Sequence, residues 1–134
     1  MILVDSNILM YAAGSEHPCK QPSVAWLERV ASGEIEATVD AEVLQEILHR
    51  YRALRRWSEG RRVYDLTRTI FPVVLPIDSD VLDRARSTMD LHSGLMARDA
   101  LHAAVVELHD LDGICSYDQD FDILEGLRRI QPSA

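Results

Sequence analysis

Lysine is nearly absent from this 134-residue chain: Lys20 is the single example, and arginine supplies the other thirteen of its fourteen basic residues. A phospho-acceptor domain, which needs a lysine late in the chain, is thereby disfavoured. Cysteine is also scarce. Cys19 falls in a polar, Pro-flanked loop and Cys115 in an apolar run, a pair that builds neither a disulfide framework nor a thiolate metal site. No apolar run approaches the roughly 20 residues of a membrane span. The N-terminal Met1-Ile2-Leu3-Val4-Asp5 has neither the basic start nor the apolar length of a signal peptide. A cytoplasmic location without membrane contact is therefore expected. Positive charge is in deficit, with a formal net charge of −8. Taken alone, that disfavours a nucleic-acid partner, which usually shows as surplus Lys and Arg.

What is present describes a folded, soluble chain. Hydrophobic residues make up 47% and charged ones 27%, and the length suffices to bury a core without staples. A single domain over residues 1–134 is expected. Its charge is unevenly spread. Residues 50–68 carry Arg50, Arg52, Arg55, Arg56, Arg61, Arg62 and Arg68 against Glu59 and Asp65, a local net of +5 that leaves −13 on the remainder. Such a run is most often a solvated helix face. It takes on another meaning only if a neighbouring site calls for an anion.

Hydrophobic periodicity alternates between strand and helix. Ile2-Leu3-Val4 is a short β-prone run that stops at Asp5-Ser6-Asn7, as in a strand buried on both faces and ending in a polar turn. Val24, Leu27 and Val30 predict a helix over about 23–31, after Pro22 and before Gly33. Ala37-Thr38-Val39 reads as a second strand, with Asp40 capping a long helix through Trp57 whose stripe is Val43, Leu44, Ile47, Leu48, Tyr51 and Leu54. A further helix from about Glu59 to Ile70 pairs with it as a hairpin. Val73-Val74-Leu75 predicts a third strand, and Asp78-Ser79 caps a helix to about Met89. After a break at His92-Ser93-Gly94, an alanine-rich helix spans Ala97 to His109, followed by a strand over Gly113 to Ser116 and a short terminal strand near Arg129-Ile130. Strands alternating with helices imply right-handed crossovers and an α/β fold: a central parallel sheet of four to five strands, covered on both faces.

Open parallel sheets bind ligands beyond the carboxyl ends of their strands. Asp5 directly follows the first strand, Asp118 follows the fourth by two residues, and Asp99 lies in the first turn of the helix before that strand. Any one of these acids, taken singly, reads more simply as a helix cap or a turn residue. Gathered at one edge, they would repel one another and raise their own pKa values without a cation between them. Oxygen-only ligands suit Mg²⁺ or Mn²⁺. Asp120 and Asp122 are candidates for an outer ligand or for capping the next turn. Ser6, Asn7 and Ser116 are placed to hydrogen-bond the carboxylates and orient them. Glu46 borders the Leu44 and Ile47 stripe and reads equally as a site residue or as an exposed partner of Arg50. His102, three residues beyond Asp99, reads as a partner of the site, as a base or, more commonly for a histidine on a packed helix, as a satisfied core residue. Phe121 is expected to anchor the acidic loop.

Val4-Asp5-Ser6-Asn7-Ile8-Leu9, Glu46 in its helix, Arg98-Asp99-Ala100-Leu101-His102-Ala103-Ala104 and Ser116-Tyr117-Asp118-Gln119-Asp120-Phe121-Asp122 together resemble the motifs of PIN-domain nucleases, most closely the VapC-like toxins of toxin-antitoxin systems. The resemblance spans nearly the whole chain and implies a three-layer α/β/α fold with Asp5, Glu46, Asp99 and Asp118 as a catalytic acidic quartet. It further implies a Mg²⁺- or Mn²⁺-dependent endoribonuclease, a homodimer, and a small antitoxin that occupies the active-site groove. Under that reading the arginine-rich hairpin has a use, with Arg50, Arg55, Arg56, Arg61 and Arg62 drawing in RNA or an acidic antitoxin segment.

Two other readings compete. A catalytically silent module of the same fold, serving interaction or regulation, is not supported by a quartet that is complete. An Asp-based phosphatase would want a second Asp two residues after Asp5, where Asn7 stands.

Overall fold

The three residues of β1 (Ile2–Val4) divide between two cores, Leu3 turning to one face of the sheet and Val4 to the other. The computed structural model describes residues 1–133. Within them β1 is the middle strand of a wholly parallel five-stranded sheet, in the order β3-β2-β1-β4-β5. Its neighbours are β2 (Ala37–Asp40), β3 (Val74–Leu75), β4 (Gly113–Cys115) and β5 (Arg129–Ile130). Leu3 is in register with Ile114 and Val4 with Cys115. Because side chains alternate along a strand, Ile114 joins the core of Leu3 and Cys115 that of Val4. Cys115 is thus a core residue, as expected, and both cysteines are free thiols.

Helices α1 (Ser6–Ala13), α2 (Lys20–Ala31), α3 (Ala41–Ala53) and α4 (Trp57–Ile70) cover the Val4 face, contributing Ile8, Leu9, Trp26, Leu27, Val43, Ile47, Tyr51 and Val63 to its core. Helices α5 (Ser79–Leu91) and α6 (Ala97–Leu108) cover the Leu3 face with Val81, Ala85, Ala100, Ala104 and Val105. The expected three-layer α/β/α arrangement is what forms. The small side chains of Ala100 and Ala104, both fully buried, let α6 lie close to the sheet. Asp40 and Asp78 cap α3 and α5 as expected, accepting from the backbone N–H of Val43 at 3.0 Å and of Val81 at 3.1 Å.

Three details differ from expectation. The polar turn after β1 is the start of α1: Asp5 accepts from Ser6 N–H at 2.8 Å as its cap, and one turn later Ile8 and Leu9 bury themselves in the core. Helix α2 begins at Lys20, ahead of Pro22. The long helix expected through Trp57 ends at Ala53, because Arg55 takes a left-handed conformation (φ 57°) and Trp57 opens α4 instead. That reversal brings the two helices together where α4 has no side chain. A Cβ on Gly60 would lie 2.4 Å from the Cβ of Tyr51.

Candidate active site

The chain runs from β1 to β2 and β3 on one side of the sheet, then crosses to place β4 and β5 on the other. The switch point lies between β1 and β4, at whose carboxyl ends Asp5, Ser116 and Asp118 stand. Asp5 is only 6% exposed. One of its oxygens caps α1. The other accepts from the Ser116 hydroxyl at 2.6 Å and from the Asn7 amide at 3.4 Å. Asn7 also donates to Ser116 Oγ at 3.1 Å, which accepts in addition from the backbone N–H of Asp118 at 3.0 Å. Asn7 and Ser116, together with the Ser6 backbone, therefore hold Asp5 in one orientation, and Ser116 ties it to the Asp118 loop.

Asp99, in the first turn of α6, is 9% exposed and accepts no hydrogen bond among the described residues. Burial, Asp118 and Asp5, in that order, push its carboxyl up to about 6. Burial also raises Asp5, opposed by His102 and by the Ser116 hydrogen bond. Asp118 caps the 3₁₀ turn Gln119–Ile123, accepting from Asp120 N–H at 2.9 Å. Single oxygens of Asp99, Asp118 and Asp120 lie within 4.8 Å of one another. Asp122 is not in that group: its oxygens accept from Arg129 at 2.9 and 3.1 Å, and the same guanidinium donates to the Ser116 carbonyl at 3.1 Å. Phe121 is fully buried and anchors that loop, as expected.

Glu46 is buried on α3, so it is not the exposed partner of Arg50 that its spacing allowed. Its Oε1 lies 2.8 Å from His102 Nε2, and its Oε2 accepts from the Ser6 hydroxyl. His102 is 1% exposed, and its Nδ1 lies 2.7 Å from Oδ2 of Asp40, itself 0% exposed. Burial works to strip the His102 proton, but Asp40, Glu46 and Asp5 outweigh it and hold the ring well above the ordinary imidazole range. Burial likewise opposes charge on Glu46, yet its hydrogen bonds to His102 and Ser6 bring its carboxyl below the usual value. His102 is indeed a satisfied core residue, but its partners are site acids. Those partners lie 62 and 56 positions earlier in the chain.

Beside these acids opens a cleft of about 580 Å³, lined by Ser6, Asn7 and Glu46 and flanked by Arg50, Arg56 and Arg98. Arg98 was not singled out as an anion contact, although its place beside Asp99 at the start of α6 was a readable signal. Arg55, Arg61 and Arg62 are exposed on the hairpin but do not line the cleft. Arg56 donates to Glu59, and Arg52 stacks over Trp57 with 4.5 Å from guanidinium carbon to ring centroid.

Asp5 groups with Glu46 and His102, as Asp99 does with Asp118 and Asp120; apart from the His102 ring the donors are all carboxylate oxygen, which fits a hard divalent cation and not a thiophilic one. Asp99 is the clearest sign of fit: its carboxyl reaches solvent at the mouth of the site but is crowded by Asp118 and Asp5 and pushed up to about 6, the condition that a cation would relieve.

Comparison with known proteins agrees with this geometry. The family model of the PIN domain matches residues 2–127. Ribonuclease VapC13 of Mycobacterium tuberculosis is 42% identical over 130 residues, covering 97% of this chain and 99% of that protein. VapBC2 from Rickettsia felis, solved bound to a DNA fragment from its promoter, superposes with a TM-score of 0.75 at 16% identity over 99% of this chain and 100% of that one. A toxin-antitoxin complex from Klebsiella pneumoniae gives a TM-score of 0.70 at 18% identity over 99% and 98%. These two structures share the fold. With the family model matching nearly the whole chain and VapC13 at this identity, the chain belongs to the PIN-domain family and, within it, to the VapC group.

Proposed function

We propose that this protein is the endoribonuclease toxin of a toxin-antitoxin pair, hydrolysing RNA phosphodiesters with Mg²⁺ or Mn²⁺ held by Asp5, Asp99 and Asp118. One observation carries the reading: acids from separate segments gather at the switch point of a parallel sheet in two groups, Asp5 with Glu46 and His102 and Asp99 with Asp118 and Asp120, and the charges of Asp118 and Asp5 both bear on Asp99. The identity to a protein named a ribonuclease supports RNA as the substrate. Bound there, a divalent cation would supply positive charge against the developing phosphate charge and make an attacking water more acidic.

The chain's own residues do the rest. Ser116, Asn7 and the Ser6 backbone fix Asp5, so the site needs little reorganisation when RNA arrives. Glu46 is held at the cleft wall by His102 and Ser6. Arg50, Arg56 and Arg98 set positive charge along the cleft, where a phosphate backbone passing the acids would otherwise be repelled. Asp120 is the remaining candidate for an outer ligand, and Asp122, engaged with Arg129, is left out of the set. The likeness to solved toxin-antitoxin complexes supports an antitoxin partner, and the arginine-lined cleft suits an acidic segment of it. A homodimer and a cytoplasmic location complete the reading; among the described residues no helix is long and apolar enough to cross a membrane.

The test is RNA cleavage by the purified chain with Mg²⁺ or Mn²⁺, with EDTA, and with Asp5→Asn. Cleavage is expected only for the wild type with metal, while the variant keeps the wild-type circular dichroism. Full activity in Asp5→Asn would remove the proposed site.

A further inference from the structure

The cleft beside the acids divides by chemistry as well as by element. Its arginines come from α3, from the link to α4 and from α6, as Arg50, Arg56 and Arg98. The residues that α1 and the link to α2 give to it include no arginine or lysine, and Glu16 there is negative. What this part offers instead is a pair of stacked rings. His17 lies on Tyr11 with centroids 4.6 Å apart and planes 29° from parallel, and Tyr11 meets Tyr117 nearly edge-on, at 5.3 Å and 86°.

The stack is held in place. Nδ1 of His17 accepts from the Cys19 N–H at 3.0 Å, and the Cys19 carbonyl accepts from the Tyr117 hydroxyl at 3.1 Å. That hydroxyl also lies 2.8 Å from Oγ of Ser23, which is fully buried. Tyr11 is half-buried and His17 exposed, so the stack ends in an open ring on the cleft. A flat ring fixed in advance loses little freedom when another ring settles on it. A single nucleotide strand carries charge on its phosphates and flat rings on its bases. Where the arginines draw the phosphates, the bases are left to meet the part of the cleft that holds the rings.

We propose that the stack of His17 on Tyr11 is a nucleobase subsite: an unpaired base of the RNA adds a ring to it while the adjoining phosphates follow Arg50, Arg56 and Arg98. His17 touches the base, and Tyr11 and Tyr117 are positioning residues that hold His17. The inference rests on RNA as the substrate in the function proposed above.

The probes are an oligoadenylate of about ten residues, within the length that such grooves cover, and the same sugar-phosphate chain without bases. Each is titrated by fluorescence anisotropy against the full chain in EDTA, so that no metal takes part. The wild type should bind the oligoadenylate more tightly than the baseless chain. His17→Ala should lose about tenfold for the oligoadenylate and less than about twofold for the baseless chain. His17→Phe, which keeps a ring without the histidine nitrogens, should restore the wild-type affinity. Arg50→Gln should weaken both probes alike and lower the salt slope by about one, a slope that His17→Ala leaves unchanged. Equal losses for the two probes in His17→Ala, no loss at all, or failure of His17→Phe to restore binding would each overturn the inference. An acidic peptide that loses affinity in His17→Ala while the oligoadenylate does not would assign the stack to protein recognition and overturn it too. Should His17→Ala fail to fold, as read by circular dichroism, His17→Gln, which still offers an acceptor to Cys19 N–H, takes its place. RNA cleavage with Mn²⁺ separates the two proposals. Base-dependent binding at His17 without cleavage removes the ribonuclease reading and leaves this one standing, and cleavage by a wild type whose His17→Ala variant binds both probes unchanged does the reverse.

Discussion

Removing the charge of Asp99 should strengthen the metal-free fold while abolishing its response to metal. The Asp99 carboxyl is pushed from 3.8 up to about 6 by burial, Asp118 and Asp5. A folded-state pKa above the unfolded one means that the folded chain binds the proton more tightly. Stability is therefore undiminished below about pH 3.8 and falls as the pH rises through about 6, where the folded carboxyl ionises. At about 1.4 kcal/mol per pH unit the full penalty is roughly 3 kcal/mol. Asp99 lies at the mouth of the site, where water screens its neighbours, so about 1–2 kcal/mol is the expected loss near pH 7.5. Asp99→Asn removes that loss at nearly constant volume. At about 3–5 °C per kcal/mol for a chain of this size, its melting temperature in EDTA should exceed that of the wild type by about 4–8 °C. The gap should close as the pH is lowered from about 6 toward 3.8, and comparing the two proteins cancels titration of the other groups. With Mn²⁺ at about a hundred times its Kd, the wild type should gain about 2.7 kcal/mol and overtake the variant. Differential scanning calorimetry at several pH values, with EDTA and with Mn²⁺, reads both effects. If Asp99→Asn melts at or below the wild type in EDTA at pH 7.5, the electrostatic account of this site is wrong.

Other expectations follow from the same contacts. Ser116→Ala deletes the 2.6 Å hydrogen bond to Asp5 and the acceptor for Asp118 N–H; it should lower stability by about 1–2 kcal/mol and metal affinity by about tenfold or more, read by urea melts and metal titration. Arg50→Glu, at the cleft wall, should weaken RNA binding several-fold more than Arg61→Glu on the outer hairpin, with a difference that shrinks as salt rises. Equal effects would make the arginines a diffuse attraction without a path. Gly60→Ala should destabilise the hairpin by about 1–3 kcal/mol, since the added methyl carbon would meet Tyr51 Cβ at 2.4 Å; a neutral effect in chemical denaturation would show that the helices can separate without loss.

The parts of the molecule that were legible in the sequence are those in which one local rule dominates. Ile2 to Val4 and Gly113 to Cys115 are short apolar runs that only a two-sided buried strand uses, and the rule for strand ends then selects Asp5 and Asp118 without any knowledge of their contacts. Helix α1 escaped because its eight residues begin at the cap itself and only Ile8 and Leu9 pack deeply, too short a stripe to stand out from a polar turn. The break before α4 escaped because the left-handed residue is Arg55, with neither glycine nor asparagine to announce it. Glu46 and His102 show the larger limit. Spacing offered each of them a plausible local role, an ion pair with Arg50 or a place in a packed helix. Their actual partners come together only once β2, α3 and α6 have folded against one another. Asp122 was open to several readings until Arg129, at the far end of the sheet, engaged it.

The bridge from Asp40 through His102 to Glu46 and Ser6 joins β2, α6, α3 and α1, and so crosses from one helical layer to the other over the rim of the sheet. Lifting either layer breaks it, and with it the lining of the cleft. Partial opening of such a domain leaves no half-built site behind. A copy in which either layer is open is expected to lack the assembled site.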